Sequence, residues 1–221
     1  MDLLQAIQER HSVREYLEKK IEEEKRQKLN ELIRKCNEES GLNIRIRYDD
    51  PDGFDSKLAH YGSFRNVMNY IILAGKPCEK LQEKSGYYGE KIVLEAQKMG
   101  LNTCWVALSF NKTNVIKMIS EGEKLVCVIA IGYGKTQGKP HKSKTMDKVI
   151  EIKGEIPDWF KKGAQAALLA PSAINQQKFK IEIQNGNPVI SISGKGPYTK
   201  IDLGIVKYHF EVASGHKVKN S

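Results

Sequence analysis

The segment "APSAINQQ", residues 170–177, gathers hydrogen-bonding side chains in one short turn. It contains a hydroxyl at Ser172 and amides at Asn175, Gln176 and Gln177, set between apolar residues. A proline ends the helical pattern that precedes it, and an alternating, strand-like pattern follows. So many donors and acceptors in one place suit a flat polar ligand. We therefore expect a binding turn here, positioned by the helix before it and the strand after it.

Positive charge is concentrated in the C-terminal part of the chain. The 221 residues carry a net charge of +9, of which residues 1–134 contribute +1 and residues 135–221 contribute +8. Such a basic part suits nucleic acid, an anionic cofactor or a solubilising surface. Its lysines are mostly spread singly, and no nucleic-acid-binding module is recognisable. A phosphate-bearing ligand explains the charge at least as well, so no nucleic-acid partner is expected.

The composition favours a globular protein of the cytoplasm. The longest apolar run, "LVCVIAI", has the length of a strand, so no membrane association is expected. The N-terminus lacks the pattern of a signal peptide. The cysteines at positions 36, 78, 104 and 127 form no CxxC pair, and we expect reduced thiols that are mostly buried. The five histidines show no metal-ligand spacing, so no metal site is expected.

Hydrophobic periodicity predicts alternating helices and strands. Asp2 and Gln5 form a capping box for a first helix, and Gly41, Gly100 and Gly215 each close a later one. The "NGNP" stretch between the last two strands is typical of a hairpin turn. A first helix is predicted from residue 3 until about residues 10–16. Further helices are predicted over residues 22–39, 88–99, 111–122, 157–169 and 201–214, and strands over 42–49, 69–76, 104–110, 125–134, 178–184 and 189–194. This order indicates an α+β or α/β fold.

The order helix, strand, loop, helix occurs twice along the chain. The strand-like segments 43–48 and 178–183 lie 135 residues apart, and helical segments that begin at Gly89 and Gly204 lie 115 residues apart. We interpret the pattern as an internal duplication. Any two helix–strand units would share this much order, so the pattern alone leaves chance similarity open.

Several segments together resemble the FMN-dependent nitroreductase family. "IQERHSVREY" (residues 7–16) resembles its N-terminal Arg-x-Ser-x-Arg/Lys signature, and "APSAINQQKFKI" resembles its Ala-Pro-Ser-Ser-x-Asn-x-Gln-Pro-Trp turn. "GEKIVLEAQKMGLNTCWV" resembles its central helix, and residues 125–150 resemble its last core strand and basic tail. The resemblance implies an α+β, nitroreductase-like fold that binds FMN. It also implies NADH or NADPH as electron donor and a small-molecule acceptor such as a nitroaromatic or a quinone.

The resemblance assigns roles to individual residues. Arg10 would pair with the flavin phosphate or the pyrimidine edge of the ring, Ser12 would donate to the phosphate, and Arg14 takes the place of the family's second cation. Lys142 and Lys144 match a Lys/Arg pair that grips the phosphate. Further cofactor-binding positions are His11, Pro171, Ser172, Ala173, Asn175 and Gln177. No catalytic side chain is assigned, because the flavin carries the chemistry.

Within the turn, Ser172, Asn175 and Gln177 would hydrogen-bond the ribityl chain or the polar edge of the ring, while Pro171 and Ile174 would pack near the ring. The sequence departs from the family at two places. Lys178-Phe179 replaces Pro-Trp after the turn. The middle Asn/Lys contacts have no clean match, and Arg65 in "GSFRN" is the nearest candidate.

The position of the turn is unusual for this family. In an ordinary member it lies about thirty residues after the Arg-x-Ser stretch, whereas here it appears only near the C-terminus. Family members are typically homodimers with FMN at the subunit interface. We therefore expect a fused dimer, with a first half at 1–154 and a shorter second half at 155–221. Such a chain would be a monomer that mimics a dimer, or a weak homo-oligomer, with one flavin site closed by Arg10 and Asn175.

Other interpretations remain open at this stage. The arginines of residues 10–14 could form a solvated helix end, Lys142 and Lys144 could be plain surface lysines, and Asn175 and Gln177 could only cap a turn. The alternative function is a flavin- or nucleotide-binding protein without turnover. No GxGxxG motif follows a strand, so nothing distinguishes NADH from NADPH.

Overall fold

The predicted capping signals set the ends of the helices in the computed structural model, which describes residues 1–56, 61–152 and 154–219. At the first helix, α1 (Leu3–Glu9), the backbone N–H of Asp2 donates to Gln5 Oε1, and the N–H of Gln5 donates to Asp2 Oδ1. Helix α2 (Glu23–Ser40) ends at Gly41, whose φ of 70° is the left-handed conformation that glycine adopts without strain. The capping box and the glycine stop are thus confirmed.

The remaining elements follow the predicted order. The helices are α3 (Leu81–Lys98), α4 (Lys112–Ile116), α5 (Asp158–Leu169) and α6 (Thr199–Ser214). The strands are β1 (Arg45–Arg47), β2 (Tyr70–Gly75), β3 (Asn102–Val106), β4 (Lys124–Gly132), β5 (Ile150–Glu151), β6 (Phe179–Gln184) and β7 (Asn187–Ile192). Within the described residues, no helix is long and apolar enough to cross a membrane.

The chain forms two compact units. The first, here called the hairpin unit, comprises Met1–Gln8, Gln82–Lys91 and Pro140–Ser221. The second, the four-stranded unit, comprises Glu9–Leu81 and Ile92–Lys139. The predicted halves, 1–154 and 155–221, refer to the proposed fusion of two subunits and not to these compact units. That division stays a prediction.

The four-stranded unit is built on an antiparallel sheet in the order β1-β2-β4-β3. Strand β2 is buried along its whole length, which explains its continuous apolar sequence. It pairs with β4 in a register that places Tyr70 opposite Ala130. One face of the sheet carries the core cluster that includes Val13, Phe64 and Val106. The segment after α1 is therefore anchored in this core.

The hairpin unit contains the sheet β5-β6-β7, packed by two helices. Strands β6 and β7 join at Asn185 and Gly186, whose φ angles of 51° and 75° are those that a tight hairpin turn requires. Helices α5 and α6 pack through Phe160 and Phe210, with ring centroids 5.6 Å apart. A Cβ on Gly163 would lie 2.6 Å from the Phe210 ring, so glycine permits this close approach.

Several predicted boundaries need correction. Helices α3 and α6 begin at Leu81 and Thr199, so Gly89 and Gly204 lie inside helices rather than at their starts. Strand β5, which pairs parallel with β6, was not predicted, because two residues carry no periodicity. The antiparallel four-stranded sheet, the mixed three-stranded sheet and the helices confirm the α+β class. The cysteines are free thiols, and three of the four are buried.

Candidate functional site

Residues 10–14 run beside the edge strand of the four-stranded unit. Ser12 forms a parallel bridge with Thr103, and the N–H of Val13 donates to the Thr103 carbonyl at 3.0 Å. Arg10 is only 3% exposed, whereas Arg14 lies at the surface. The backbone of this segment is therefore fixed by β3, and Arg10 does not form a solvated helix end.

A buried thiol lies next to this segment. Burial raises the pKa of the Cys104 thiol, while the charges of Arg14 and Arg10 and a hydrogen bond with Ser12 act in the opposite direction. The thiol therefore stays neutral near pH 7, which is unfavourable for a nucleophile. Cys104 acts here as a packing residue that contacts the hydroxyl of Ser12.

The glycine-rich exit of β4 supports the same segment. Gly138 has a φ of 75°, and a Cβ on it would lie 2.8 Å from that of His11. The N–H of Gly134 donates to Asn102 Oδ1 at 3.0 Å, and Asn102 Nδ2 donates to Gln137 Oε1 at 3.0 Å. The glycines thus allow the loop to lie directly against residues 11–13.

A second segment of this unit, distant in sequence, joins residues 10–14. The N–H of Arg65 donates to the Arg14 carbonyl at 2.9 Å, and the N–H of Tyr16 donates to the Arg65 carbonyl at 3.1 Å. The Arg14 guanidinium lies 6.0 Å from the centre of the Phe64 ring. Fifty-one positions separate the two arginines, yet the bridge between Glu15 and Arg65 holds their backbones side by side.

A cavity of about 530 Å³ opens at this junction. Its lining combines apolar side chains with four polar or charged ones: Pro51, Phe54, Phe64, Val67 and Met68, and Glu15, Asp55, Arg65 and Asn66. This size and mixture are those of ligand pockets, which are mostly apolar with a few fixed polar groups. The four-stranded unit therefore carries a candidate binding cavity beside the predicted Arg-x-Ser residues.

Near the cavity, Glu15 is paired with a lysine, whereas two arginines donate no hydrogen bond to another described side chain or carbonyl. Lys135 Nζ donates to Glu15 at 2.8 Å, and this hydrogen bond is the main cause that lowers the pKa of the Glu15 carboxyl. The guanidinium groups of Arg14 and Arg65 donate no hydrogen bond to another residue of the described parts of the chain. Two arginine forks are thus available for an anionic or carbonyl-rich ligand.

The predicted turn in the hairpin unit has an unusual backbone. A short 3-10 turn spans Ala173–Asn175, and the φ angles of Ile174, Asn175 and Gln177 are 48°, 55° and 44°. Ile174 is 85% exposed although it is apolar. A β-branched residue in the left-handed region is strained, and such strain clusters at functional sites. The geometry supports a functional role for this turn.

Asn175 and Gln177 connect the turn to the predicted basic pair. Gln177 Nε2 and Asn175 Nδ2 each donate to the Lys142 carbonyl at 2.9 Å, and the N–H of Lys144 donates to Gln177 Oε1 at 2.8 Å. Lys144 Nζ donates to the Gln177 carbonyl at 2.7 Å, while Lys142 is exposed. The structure thus brings together two regions that the sequence places 33 residues apart. The amides hold this arrangement, since Gln177 itself is 2% exposed.

The end of α5 fixes the basic segment from its other side. The Ser143 hydroxyl donates to the Leu168 carbonyl at 2.9 Å, and His141 Nε2 lies 3.3 Å from the Leu169 carbonyl. The last carbonyls of a helix have no partner within it, and here residues 141–143 provide partners for two of them. Pro171 then ends the helix and starts the turn.

Sequence reasoning missed an aspartate that anchors the turn. Asp202 in the first turns of α6 accepts from the Ala173 N–H at 3.0 Å through Oδ1 and from Gln176 Nε2 at 2.7 Å through Oδ2. It is 7% exposed, and burial raises its pKa to about 6 against the opposing effect of these hydrogen bonds. The available signal was a single acid in the apolar helix "IDLGIV".

The predicted site residues therefore form two sets. Those at positions 10–14 lie in the four-stranded unit, and those at positions 142–144 and 171–177 lie in the hairpin unit. Each set is brought together within its own unit. The predicted approach of Arg10 to Asn175 stays a prediction.

Comparison with known proteins identifies relatives over nearly the whole chain. The family model described as "Putative TM nitroreductase" matches residues 2–214. A "putative nitroreductase" from Thermotoga maritima MSB8 is 27% identical, with a TM-score of 0.69, and the match covers 96% of this chain and 83% of that one. No curated protein matches the chain.

Two more distant structures share the fold. A "putative nitroreductase in complex with FMN" from Desulfovibrio desulfuricans is 15% identical, with a TM-score of 0.52, over 71% of this chain and 99% of that one. A "putative NADH dehydrogenase/NAD(P)H nitroreductase" from Bacteroides thetaiotaomicron is 24% identical, with a TM-score of 0.53, over 66% of this chain and 95% of that one.

Proposed function

The chain belongs to the nitroreductase family matched over residues 2–214, and from this premise we propose that it is an FMN-dependent NAD(P)H oxidoreductase. The resemblance expected from "RHSVR" and "APSAINQQ" is confirmed for the family and for its α+β fold. The use of FMN is supported by the complex of the Desulfovibrio relative with that cofactor.

One observation carries the proposal: Arg65 lines the cavity of the four-stranded unit, and its backbone pairs with that of Arg14. The cavity volume of about 530 Å³ is within the usual range for cofactor sites. Phe54 and Phe64 offer aromatic walls to a planar ring. The two guanidinium groups donate no hydrogen bond to another described residue, so they can pair with the carbonyl-rich edge of a flavin. These residues fit the cofactor.

FMN, when bound, would supply hydride transfer from NAD(P)H to an acceptor such as a nitroaromatic or a quinone, in a ping-pong sequence. The protein's own contribution is binding and electrostatics. Arg14 and Arg65 would stabilise negative charge at the polar edge of the ring. Glu15 is hydrogen-bonded to Lys135, and the charge of Arg65 also contributes to lowering the pKa of its carboxyl. Phe54 and Phe64 would keep water from one side of the ring.

The hairpin unit offers its own cofactor-binding groups. The exposed ammonium of Lys142 can contact a phosphate, and the Ser172 hydroxyl, which accepts from the N–H of Gln177 at 3.0 Å, can still donate. Lys144 has one bond to the Gln177 carbonyl and two remaining protons. The amides of Asn175 and Gln177 would act mainly by holding these groups in place.

The test is direct. The purified chain is mixed with FMN, free flavin is removed, and the spectrum is followed without oxygen after addition of NADH or NADPH. We expect flavin absorbance that bleaches with at least one donor and returns when a nitroaromatic or quinone is added. Protein that takes up no FMN would contradict the proposal. FMN that binds but is never reduced would instead favour a flavin-binding protein without turnover.

Variants at the cavity show which residues are involved. Arg65→Ala and Arg14→Ala should each weaken FMN binding about tenfold or more, because a hydrogen-bonded charge contributes about 1.5 to 3 kcal/mol. Arg34→Ala is the matched control, since Arg34 forms only exposed ion pairs on α2. Equal FMN affinity in all three variants would place the flavin elsewhere.

We further propose that the chain is internally duplicated, binds one FMN and is a monomer. Titration monitored by flavin fluorescence should end at one equivalent per chain, and light scattering should give a mass near 25 kDa. Two equivalents of FMN per chain would exclude a single remaining site. The free cysteines suit the reducing conditions of the cytoplasm, where we place the enzyme.

A further inference from the structure

We propose that Asp202 is a positioning residue that holds the turn at residues 170–177 in the conformation that binds the cofactor. The inference rests on the proposed flavin function, because it treats this turn as a cofactor contact. Asp202 belongs to α6, whereas the turn lies between α5 and β6. The connection is therefore a tertiary one, made by a side chain that sequence comparison with the family motif did not indicate.

The carboxylate of Asp202 accepts hydrogen bonds from the turn on both sides of Ile174 and Asn175. Oδ1 accepts from the N–H of Ala173, just before Ile174, and Oδ2 accepts from the side chain of Gln176, just after Asn175. The positive φ angles of Ile174 and Asn175 lie between these two attachment points. Strained backbone persists only where its surroundings determine it. Asp202 supplies both flanking constraints from one rigid group.

Helix α6, which carries Asp202, is itself fixed in position. The N–H of Asp202 donates to the Tyr198 carbonyl at 3.0 Å, as part of the first turn of α6. Further along the helix, Lys207 Nζ donates to Glu83 Oε1 on α3 at 2.6 Å. Gly204 packs backbone to backbone against α3. The carboxylate thus projects from a helix that cannot easily move with the turn.

The effect of Asp202 on the turn reaches the basic segment, residues 142–144, through Gln177. This residue follows Gln176 directly, and its amide contacts the Lys142 carbonyl and the Lys144 N–H. A shift of Gln176 would therefore displace the amide that positions both lysines. Asp202 would influence cofactor affinity without touching the cofactor.

The charge of Asp202 is linked to this arrangement. Burial raises the pKa of this carboxyl to about 6, so the folded turn favours the neutral acid, and ionisation between pH 5 and 7 favours conformations that expose the carboxylate to water. Gln176 Nε2 also donates to the Pro197 carbonyl at 2.7 Å, which keeps one attachment when that to Asp202 is lost. Charged and titratable groups on the neighbouring segments include the paired Glu83 and Lys207, His141, and the lysines at 142, 144, 178, 195 and 200. The hydrogen bonds of Asp202 go to none of them.

The experiment compares the full chain with Asp202→Asn and Asp202→Ala, and uses Asp158→Asn, an exposed acid at the start of α5, as the charge-matched control. Hydrogen exchange of the amides at residues 172–177 is measured without FMN, and the FMN dissociation constant is measured from pH 5.0 to 8.0. Asp202→Asn keeps an acceptor for the Ala173 N–H and lacks the titrating group.

We expect Asp202→Ala to speed exchange at residues 173 and 177 by about tenfold or more and to weaken FMN binding by a similar factor, the equivalent of one hydrogen bond to a charged group. FMN binding of the wild type should weaken several-fold as pH rises from 5.0 to 7.5, as should that of the control. Asp202→Asn should show a flatter pH profile. Wild-type exchange rates at the turn in Asp202→Ala, or an unchanged pH profile in Asp202→Asn, would overturn the inference.

The two readouts separate this inference from the proposed function. If no protein binds FMN, the flavin function fails, while hydrogen exchange still measures whether Asp202 holds the turn. If FMN binds and bleaches normally but hydrogen exchange at the turn is the same with and without the Asp202 carboxylate, only the positioning role fails. If Asp202→Ala does not fold, Asp202→Asn and its pH profile decide the result.

Discussion

Gly86 on α3 and Gly204 on α6 meet through their backbones in a reciprocal contact. A Cβ added to Gly86 would lie 2.0 Å from the carbonyl oxygen of Ile201, and one added to Gly204 would lie 2.0 Å from that of Glu83. Gly204 follows Gly86 by 118 positions, and Ile201 follows Glu83 by the same number. Contacts exchanged in this way are the mark of a two-fold relation between equivalent surfaces.

This contact between Gly86 and Gly204 supports the predicted internal duplication. The sequence repeat placed the helices 115 residues apart, with Gly89 matched to Gly204, whereas the contact matches Gly86 to Gly204. A shift of three residues is nearly one helical turn, which periodicity alone cannot resolve. The duplication stays a prediction, now with a specific pair of equivalent residues.

We predict that Gly204→Ala destabilises the chain by about 3 kcal/mol or more, because the added methyl group meets backbone atoms that cannot rotate away. Gly86→Ala should have a similar effect. The free energy of unfolding is measured by guanidinium titration, with Lys200→Ala, an exposed position on α6, as control. Losses below 1 kcal/mol in both glycine variants would mean that the helices separate freely at this point.

The fully buried pair of Glu90 and His209 leads to a second prediction. His209 Nδ1 lies 3.1 Å from the Ala166 carbonyl, which can only accept, so this nitrogen carries a proton. Nε2 lies 2.8 Å from Glu90 Oε1, and both side chains are 0% exposed. His209→Ala removes the imidazole while the carboxyl group of Glu90 stays buried. We expect the free energy of unfolding to fall by about 3 to 5 kcal/mol.

Chemical denaturation of His209→Ala tests this expectation. Lys98→Ala, which breaks the partly exposed pair of Lys98 and Glu95, is the control and should change stability by less than about 1 kcal/mol. Equal stabilities of the two variants would show that the buried pair contributes no more than a surface pair.

A third prediction concerns the strain at Ile174. Asparagine adopts the left-handed conformation more easily than a β-branched residue, and the side chain is 85% exposed, so little burial is lost. Ile174→Asn should therefore stabilise the chain by about 1 kcal/mol and raise Tm by about 2–4 °C. It should also weaken FMN binding if the isoleucine packs on the ring.

Differential scanning calorimetry and FMN titration measure the two effects. Leu108→Asn replaces another exposed apolar residue, 66% exposed, whose φ is not positive, and should show neither effect. A lower Tm for Ile174→Asn would mean that contacts of the isoleucine outweigh its backbone strain.

The sequence was most informative where local chemistry determines structure. The capping pair Asp2 and Gln5 and the glycine stop at Gly41 depend only on neighbouring residues, and both are found as predicted. The side-by-side backbones of Arg14 and Arg65, and the grip of Asp202 on the turn, depend on tertiary pairing between distant segments. No periodicity or motif spacing encodes such contacts, so Arg65 was only a candidate and Asp202 was missed.

The buried carboxyl of Asp202 gives a prediction with a defined sign for stability. Its pKa is about 6 in the folded chain, against 3.8 as the ordinary value, because burial disfavours the charged form. Between these two values the folded chain binds more protons than the unfolded chain, so this group's contribution to the free energy of unfolding falls as pH rises from about 4 to 6. The change amounts to about 3 kcal/mol at pH 7.

Asp202→Asn does not titrate, so the stability of the variant relative to the wild type should rise by about 3 kcal/mol between pH 4 and pH 7. Glu22 and Glu31, whose pKa values are lowered to about 2 by hydrogen bonds from Tyr133 and Arg34, change stability in the opposite direction on acidification. They are common to both proteins, so the difference between the two unfolding curves isolates Asp202. A difference that does not vary with pH would show that Asp202 has an ordinary pKa in the folded chain.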